Sequence, residues 1–544
     1  MSRKVPARPR TTGSRTTGRR STLFAIVAAL AVGSAGLLAC TDESAVPVDG
    51  AAAGDGAAAG DARSVDADRP IDYVAADAAV FRQQVVIDGW NERPGGPDVD
   101  SIDGHAWDLW RAINAPTGQE LNGTSLPVWE TWYSDAEVFL DNQEVDEATS
   151  RDLDPLNQSL HAGSLSTTAQ AARTRSTTGA ATAGVLSFNR FNREILDSVQ
   201  QNQLHDRAAL LALDDDFDLA GIGAGGRSIP QLPNTSVMLK PVWWIIPGDE
   251  PSMIPYWAGG DDTHTTDLAN PSWHTWRQCV LVDPTRTVDE LADEVRDELT
   301  GTERTCNAGQ PGETTVGAGD YEVRSVDVDP DRSDLYAFRL TEDEVDGLGQ
   351  FKMMLDNTNR EDHLDEVEVG DMAVLVAMHV ATREVPRWTW QTFWWTPTPH
   401  TPAELPPAAR VAPRDIEGPW AQFNMCSSYS MTVPSVEDPG AREDLVCFNP
   451  YLETDLTGLF SADGSRDDLV GRDSNCMSCH RAATFHASAP TRYVASGEVA
   501  DADPTWFSDG VQIEIMWSIA FHAHDGPFIG PLERTASTTT TPPG

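Results

Sequence analysis

Met372-Ala373-Val374-Leu375-Val376-Ala377-Met378-His379-Val380 is followed closely by Val385-Pro386-Arg387-Trp388-Thr389-Trp390-Gln391-Thr392-Phe393-Trp394-Trp395. Nine nearly unbroken apolar residues, then an aromatic run, read as two strands. In the second, Trp388, Trp390 and Trp394 are expected on one strand face. That face suits either a packed core or a cleft covering a sugar or a cofactor. A third strand-like run lies upstream at Ser236-Val237-Met238-Leu239-Lys240-Pro241-Val242-Trp243-Trp244.

Between and before these runs the pattern turns helical, around His105-Ala106-Trp107-Asp108-Leu109-Trp110 and from Phe191 to Ala212. Prolines and glycines punctuate the chain throughout. The expected fold is α+β: a large domain with a mixed sheet over residues 69–415, then a mainly helical, cytochrome c-like segment over 416–534. Residues 535–544, rich in threonine and proline, form a tail with no core of their own.

The front of the chain reads as an address. Residues 1–40 contain no Asp or Glu. A basic stretch ends at Arg19-Arg20, the apolar run Leu23 to Val32 follows, and Leu37-Leu38-Ala39-Cys40 closes it. This resembles the lipobox of bacterial lipoproteins, so Cys40 is the expected acylation site. The run is short for a membrane span, which favours a lipid anchor at the cell envelope, periplasmic or at the cell surface. Residues 41–68, mostly Ala, Gly and Asp, read as a flexible tether.

The chain carries a formal net charge of −45. Such a surface repels phosphate backbones, which argues against nucleic-acid binding, and it would steer a basic redox partner towards it.

Seven cysteines occur. With Cys40 lipidated and Cys476 and Cys479 belonging to a motif, Cys279, Cys306, Cys426 and Cys447 remain for an oxidising compartment. Of the three possible pairings, Cys279–Cys306 with Cys426–Cys447 closes two short loops. The first brackets an expected helix from Val288 to Leu299, with Thr287 as its N-cap.

The chemistry concentrates in Cys476-Met477-Ser478-Cys479-His480. Cys-x-x-Cys-His is the attachment signature of c-type haem. Two thiols three residues apart reach the two vinyl groups, and the adjacent histidine projects onto the iron. A redox dithiol would instead sit between a strand and a helix, but here a polar loop, Gly471 to Asn475, precedes it. A zinc site would need a second ligand pair, and no second Cys-x-x-Cys occurs. One covalent haem c is therefore expected, with His480 as the proximal iron ligand. The second axial position stays open between Met516, His486, His522, His524, Met425, Met431 and no protein ligand at all. Met516 is the leading single candidate, because Ile513, Met516, Trp517 and Ala520 fall on one helical face, although the same pattern also fits plain core.

Gly221-Ile222-Gly223-Ala224-Gly225-Gly226 matches a dinucleotide fingerprint by letter only. Acidic residues precede it and Pro230 follows, where a strand and a helix are required.

Taken in order, Met372 to Val380 with Trp388 to Phe393, then Asn449-Pro450-Tyr451-Leu452, then Ser474 to His480, resemble a family of large bacterial monohaem proteins of the cytochrome c type. The likeness is patchy over residues 235–525, and departs from the pattern at Trp394-Trp395 and in the Cys426–Cys447 loop. It implies an envelope haem protein whose sheet and haem segment act as one unit, and it supplies no substrate. Electron transfer is the leading expectation. A peroxidase-like haem enzyme and a haem-bearing binding or sensor protein are the alternatives, so enzymatic activity is left open.

Overall fold

In the computed structural model, the structure describes residues 71–94, 97–139, 174–175, 181–182, 185–215, 228–257, 275–308, 312–326, 333–345, 367–399, 410–429, 449–452, 480, 483–485 and 511–523. The leader, the tether, the tail, Cys40, Met431, Cys447, Cys476, Cys479, His486 and His524 lie outside the described residues.

The fold is α+β with several sheets. Helix α1 spans Val99–Ile113 and α2 spans Arg193–Gln201. Strand β1 is Val237–Ile246, β2 is Cys279–Asp283, and helix α3 is Asp293–Thr300. Strands β3, Met372–Thr382, and β4, Thr389–Trp395, follow, then β5, Phe423–Tyr429, and finally helix α4, Trp517–His522.

An eight-stranded sheet organises these parts. Its main path runs from Arg410–Val411 through β5, β4, β3 and β1 to Val185–Ser187. All eleven residues of β3 are buried, as are all seven of β4 and of β5. A strand covered on both faces has no solvent side to make polar, so its sequence loses alternation and reads as a continuous apolar run. The three strand runs expected from sequence are thus neighbours in one sheet. β5, which lies beyond residue 415, pairs with β4 along its whole length.

Register assigns the two faces. Lys240, His379, Thr392 and Cys426 stand opposite one another in a row, and Met238, Ala381, Trp390 and Ser428 form the next. Phe393, Met378 and Met425 belong to the other face. Helix α1 covers that other face. Trp110 stacks on Phe393 at 4.1 Å between ring centroids, and Trp107 meets the same ring edge-on. Such pairs add roughly 0.5–1.5 kcal/mol beyond the area they bury.

Trp388 does not share the strand face expected for it. It precedes β4 in a left-handed conformation, φ 60°, and is fully buried. Trp390, Trp394 and Trp395 are buried as well, so the tryptophan run is packed core and not an open cleft. The helix expected over Val288–Leu299 is divided. Thr287 and Glu290 close a reciprocal cap on the short turn Val288–Glu290, and α3 begins only at Asp293.

A disulfide joins Cys279 to Cys306, as expected. Cys426 is disulfide-bonded too. Among the described residues, no helix is long and apolar enough to cross a membrane.

Candidate functional site

His480 lies against the sheet face that carries Lys240, His379 and Trp390. Its imidazole sits 5.0 Å from the Trp390 ring, centroid to centroid. Its Nδ1 lies 2.6 Å from the backbone carbonyl of Ile515. A carbonyl oxygen can only accept, so Nδ1 carries the proton and Nε2 keeps its lone pair. Burial pulls the His480 pKa down to about 4, the Ile515 carbonyl acts in the opposite direction, and Lys240 lowers it further. Near neutral pH the ring is an uncharged imidazole with one nitrogen available as a ligand.

His379 is the second histidine of this face. Burial, then the charges of Lys240 and His480, press its pKa down to about 3. Lys240 faces it directly across the β1–β3 ladder. Sequence reading passed over both residues. The available signal was a single His and a single Lys, each inside an otherwise apolar strand.

The Ile515 carbonyl is presented by a turn that local sequence does not explain. Glu514 has φ 57°, a left-handed conformation costing roughly 1–2 kcal/mol outside glycine. Its carboxylate is fixed from the sheet side. Arg383 Nε donates to Glu514 Oε2 at 2.6 Å, and Trp388 Nε1 donates to the same oxygen at 2.9 Å. The Arg383 and Glu514 side chains are less than a tenth exposed. Trp388 and Glu514, both left-handed, therefore brace each other. Further bonds knit the strip: Ala483 N–H donates to the His480 carbonyl at 3.0 Å, and Ile513 N–H to the Ala483 carbonyl at 3.3 Å. Thr484–Phe485 pairs with Val511–Gln512 as a two-stranded ribbon.

This turn replaces the helical face expected over Ile513 to Ala520. Helix α4 starts at Trp517, with Met516 as its N-cap residue. Met516 is buried, one residue beyond the carbonyl that holds His480. Met425 lies on the sheet face away from His480. His522 is engaged elsewhere: its Nε2 is 3.3 Å from Asp135 Oδ1 and its ring stacks on Phe139 at 5.1 Å.

Asn449 and Tyr451 cover the same sheet face as His480. Asn449 Nδ2 donates to Thr392 Oγ1 at 2.8 Å, and the Tyr451 ring meets Trp276 edge-on at 5.0 Å. The strand pair, the Asn449 turn and His480 are thus gathered on one face, although Trp390 and His480 are 90 positions apart in sequence.

Among the described residues, no group of three or more His, Cys, Asp or Glu is placed to hold a metal ion. What the described residues of this strip offer a bound group is one oriented imidazole, that of His480. Compared with family models, with curated proteins and with solved structures, the chain matches none.

Proposed function

We propose that this chain is a lipid-tethered, extracytoplasmic monohaem c-type protein that transfers electrons at the bacterial envelope. The observation that carries this reading is the His480 imidazole, the histidine of Cys-x-x-Cys-His, held by Nδ1 to the Ile515 carbonyl with Nε2 left as an iron donor. A histidine ligand commonly donates its other ring N–H to a backbone carbonyl or carboxylate, which fixes the tautomer and raises the basicity of the ligating nitrogen.

In this reading Cys476 and Cys479 hold the haem through thioethers and His480 binds the iron, which supplies one-electron chemistry when the group is bound. The chain's part is to orient the imidazole, keep it neutral and exclude water. Trp390 packs against the ring, the Glu514 turn fixes its direction, and burial with Lys240 nearby disfavours protonation. The acidic surface would guide a basic redox partner. Lys240 and His379, polar groups on the same buried face, favour a second reading, a haem enzyme acting on small molecules.

The deciding experiment is haem staining of a denaturing gel. Wild type is expected to retain stain, and Cys476→Ala with Cys479→Ala to lose it. Stain that survives in the double variant, or is missing from wild type matured with c-type assembly factors, would remove the proposal. Carbon monoxide then separates the two readings, since tight binding to the reduced wild type favours the enzyme.

A further inference from the structure

We propose that Glu514 is a positioning residue for His480, acting through the Ile515 carbonyl. This inference rests on the reading of His480 as the haem's proximal ligand.

The argument starts from an anomaly. A glutamate in a left-handed turn is unfavourable, and nothing in Ile513-Glu514-Ile515-Met516 calls for one. The conformation is held by two donors from the β3–β4 connection, Arg383 and Trp388, which converge on one carboxylate oxygen. The backbone N–H of Arg383 in turn donates to the Ser236 carbonyl at 2.9 Å, so the donor is anchored to the chain entering β1. The next peptide carbonyl after Glu514 is the one that accepts from His480 at 2.6 Å. Trp390, two residues beyond Trp388, touches the same imidazole. One short hairpin thus sets both the packing surface of His480 and, through Glu514, the acceptor for its N–H.

A clamp that merely tied residues 511–523 to the sheet would need no particular carbonyl aim. A positioning clamp makes a narrower claim. Loosening it weakens the Nδ1–H···O bond, lowers the donor strength of Nε2, and favours ferrous over ferric iron.

The test uses the full-length chain as Glu514→Ala, Trp388→Phe and, as a control, Tyr429→Phe, whose phenol lies on the opposite sheet face. Trp388→Phe removes one donor and keeps an aromatic ring, so it serves if Glu514→Ala does not fold. Two readouts are taken: the midpoint potential of the haem-loaded protein, and the His480 tautomer by nitrogen-15 NMR of the haem-free Cys476→Ala, Cys479→Ala chain. The expected result is an upward shift in potential. For Glu514→Ala it corresponds to about a tenfold change in the ferrous-to-ferric ratio, about 59 mV for one electron. Trp388→Phe should shift less and Tyr429→Phe not at all. The tautomer should move from Nδ1–H towards a mixture in the two clamp variants. Unchanged potential and tautomer in those variants would overturn the clamp. A wild type that takes up no haem would overturn the haem reading instead, and the NMR arm would still decide the clamp.

Discussion

Nε2 of His105 lies 3.2 Å from a carboxylate oxygen of Glu384, and both side chains are essentially closed to solvent. The same nitrogen is 3.1 Å from the Val80 carbonyl, and Nδ1 is 2.5 Å from the Tyr429 hydroxyl. Carboxylate and carbonyl accept only, so Nε2 bears the proton and Tyr429 donates to Nδ1. Burial, then the nearby Glu384 charge, pushes the Tyr429 pKa well up, which keeps that donor proton in place. This chain of bonds ties α1 to β5 and to the end of β3. Removing one partner leaves buried polar atoms unsatisfied, so His105→Ala is expected to cost about 2–4 kcal/mol and Tyr429→Phe about 1–2 kcal/mol. Urea unfolding followed by tryptophan fluorescence measures both; losses under 0.5 kcal/mol would show that the network contributes little.

The buried His379 gives a pH dependence with a definite sign. Its pKa is about 3 in the folded chain against an ordinary value of 6.5. Between these values the unfolded chain binds the proton and the folded chain does not, so stability falls as pH drops from 6.5 towards 3 and is flat above 6.5. One such group changes stability by up to about 1.4 kcal/mol per pH unit. His379→Gln should flatten part of that slope. Thermal melting of the haem-free chain between pH 4 and 8 provides the comparison, and parallel curves for wild type and variant would refute the assignment.

On the proposed haem reading, Met516 is the first candidate for a second iron ligand. If it is the ligand, Met516→Ala should remove a weak sulfur-to-iron band at the red end of the oxidised spectrum and let carbon monoxide bind the reduced form. A spectrum that does not change would move the search to His486 and His524.

Cys279 and Cys306 bound a loop 27 residues long by sequence separation. Peptide mapping without reduction should recover them linked, and Cys426 linked to Cys447. Replacing Cys279 and Cys306 together by alanine is expected to lower stability by about 3 kcal/mol.

Cys40→Ser should release the chain from membranes in soluble form, if acylation is its anchor. Retention of that variant in salt-washed membranes would point to a different attachment.

What could be read directly from sequence follows from whether the cause is local. β3 was legible because a strand buried on both faces loses its polar alternation, and β1 and β4 through their β-branched and aromatic residues. The Cys279–Cys306 pair was legible from an even number of spare thiols. His480 stood out through its motif, but its partner did not, because Ile515 is an ordinary apolar residue used only for its carbonyl. The helical face expected over Ile513 to Ala520 failed at Glu514, whose backbone is set by Arg383 and Trp388, more than a hundred residues earlier. Trp388 misled for the same reason: its place in a strand pattern was plausible, and its left-handed turn is stabilised from afar.

The Ile515 carbonyl that holds His480 comes 35 residues later in the chain. During synthesis His480 therefore emerges before the carbonyl that orients it. Until Ile515 has followed and the Glu514 carboxylate has met Arg383 and Trp388, the bond from Nδ1 cannot form. On the proposed reading of the motif, haem attachment would have to come before residues 511–523 dock, and a chain that docked them first would be folded and colourless.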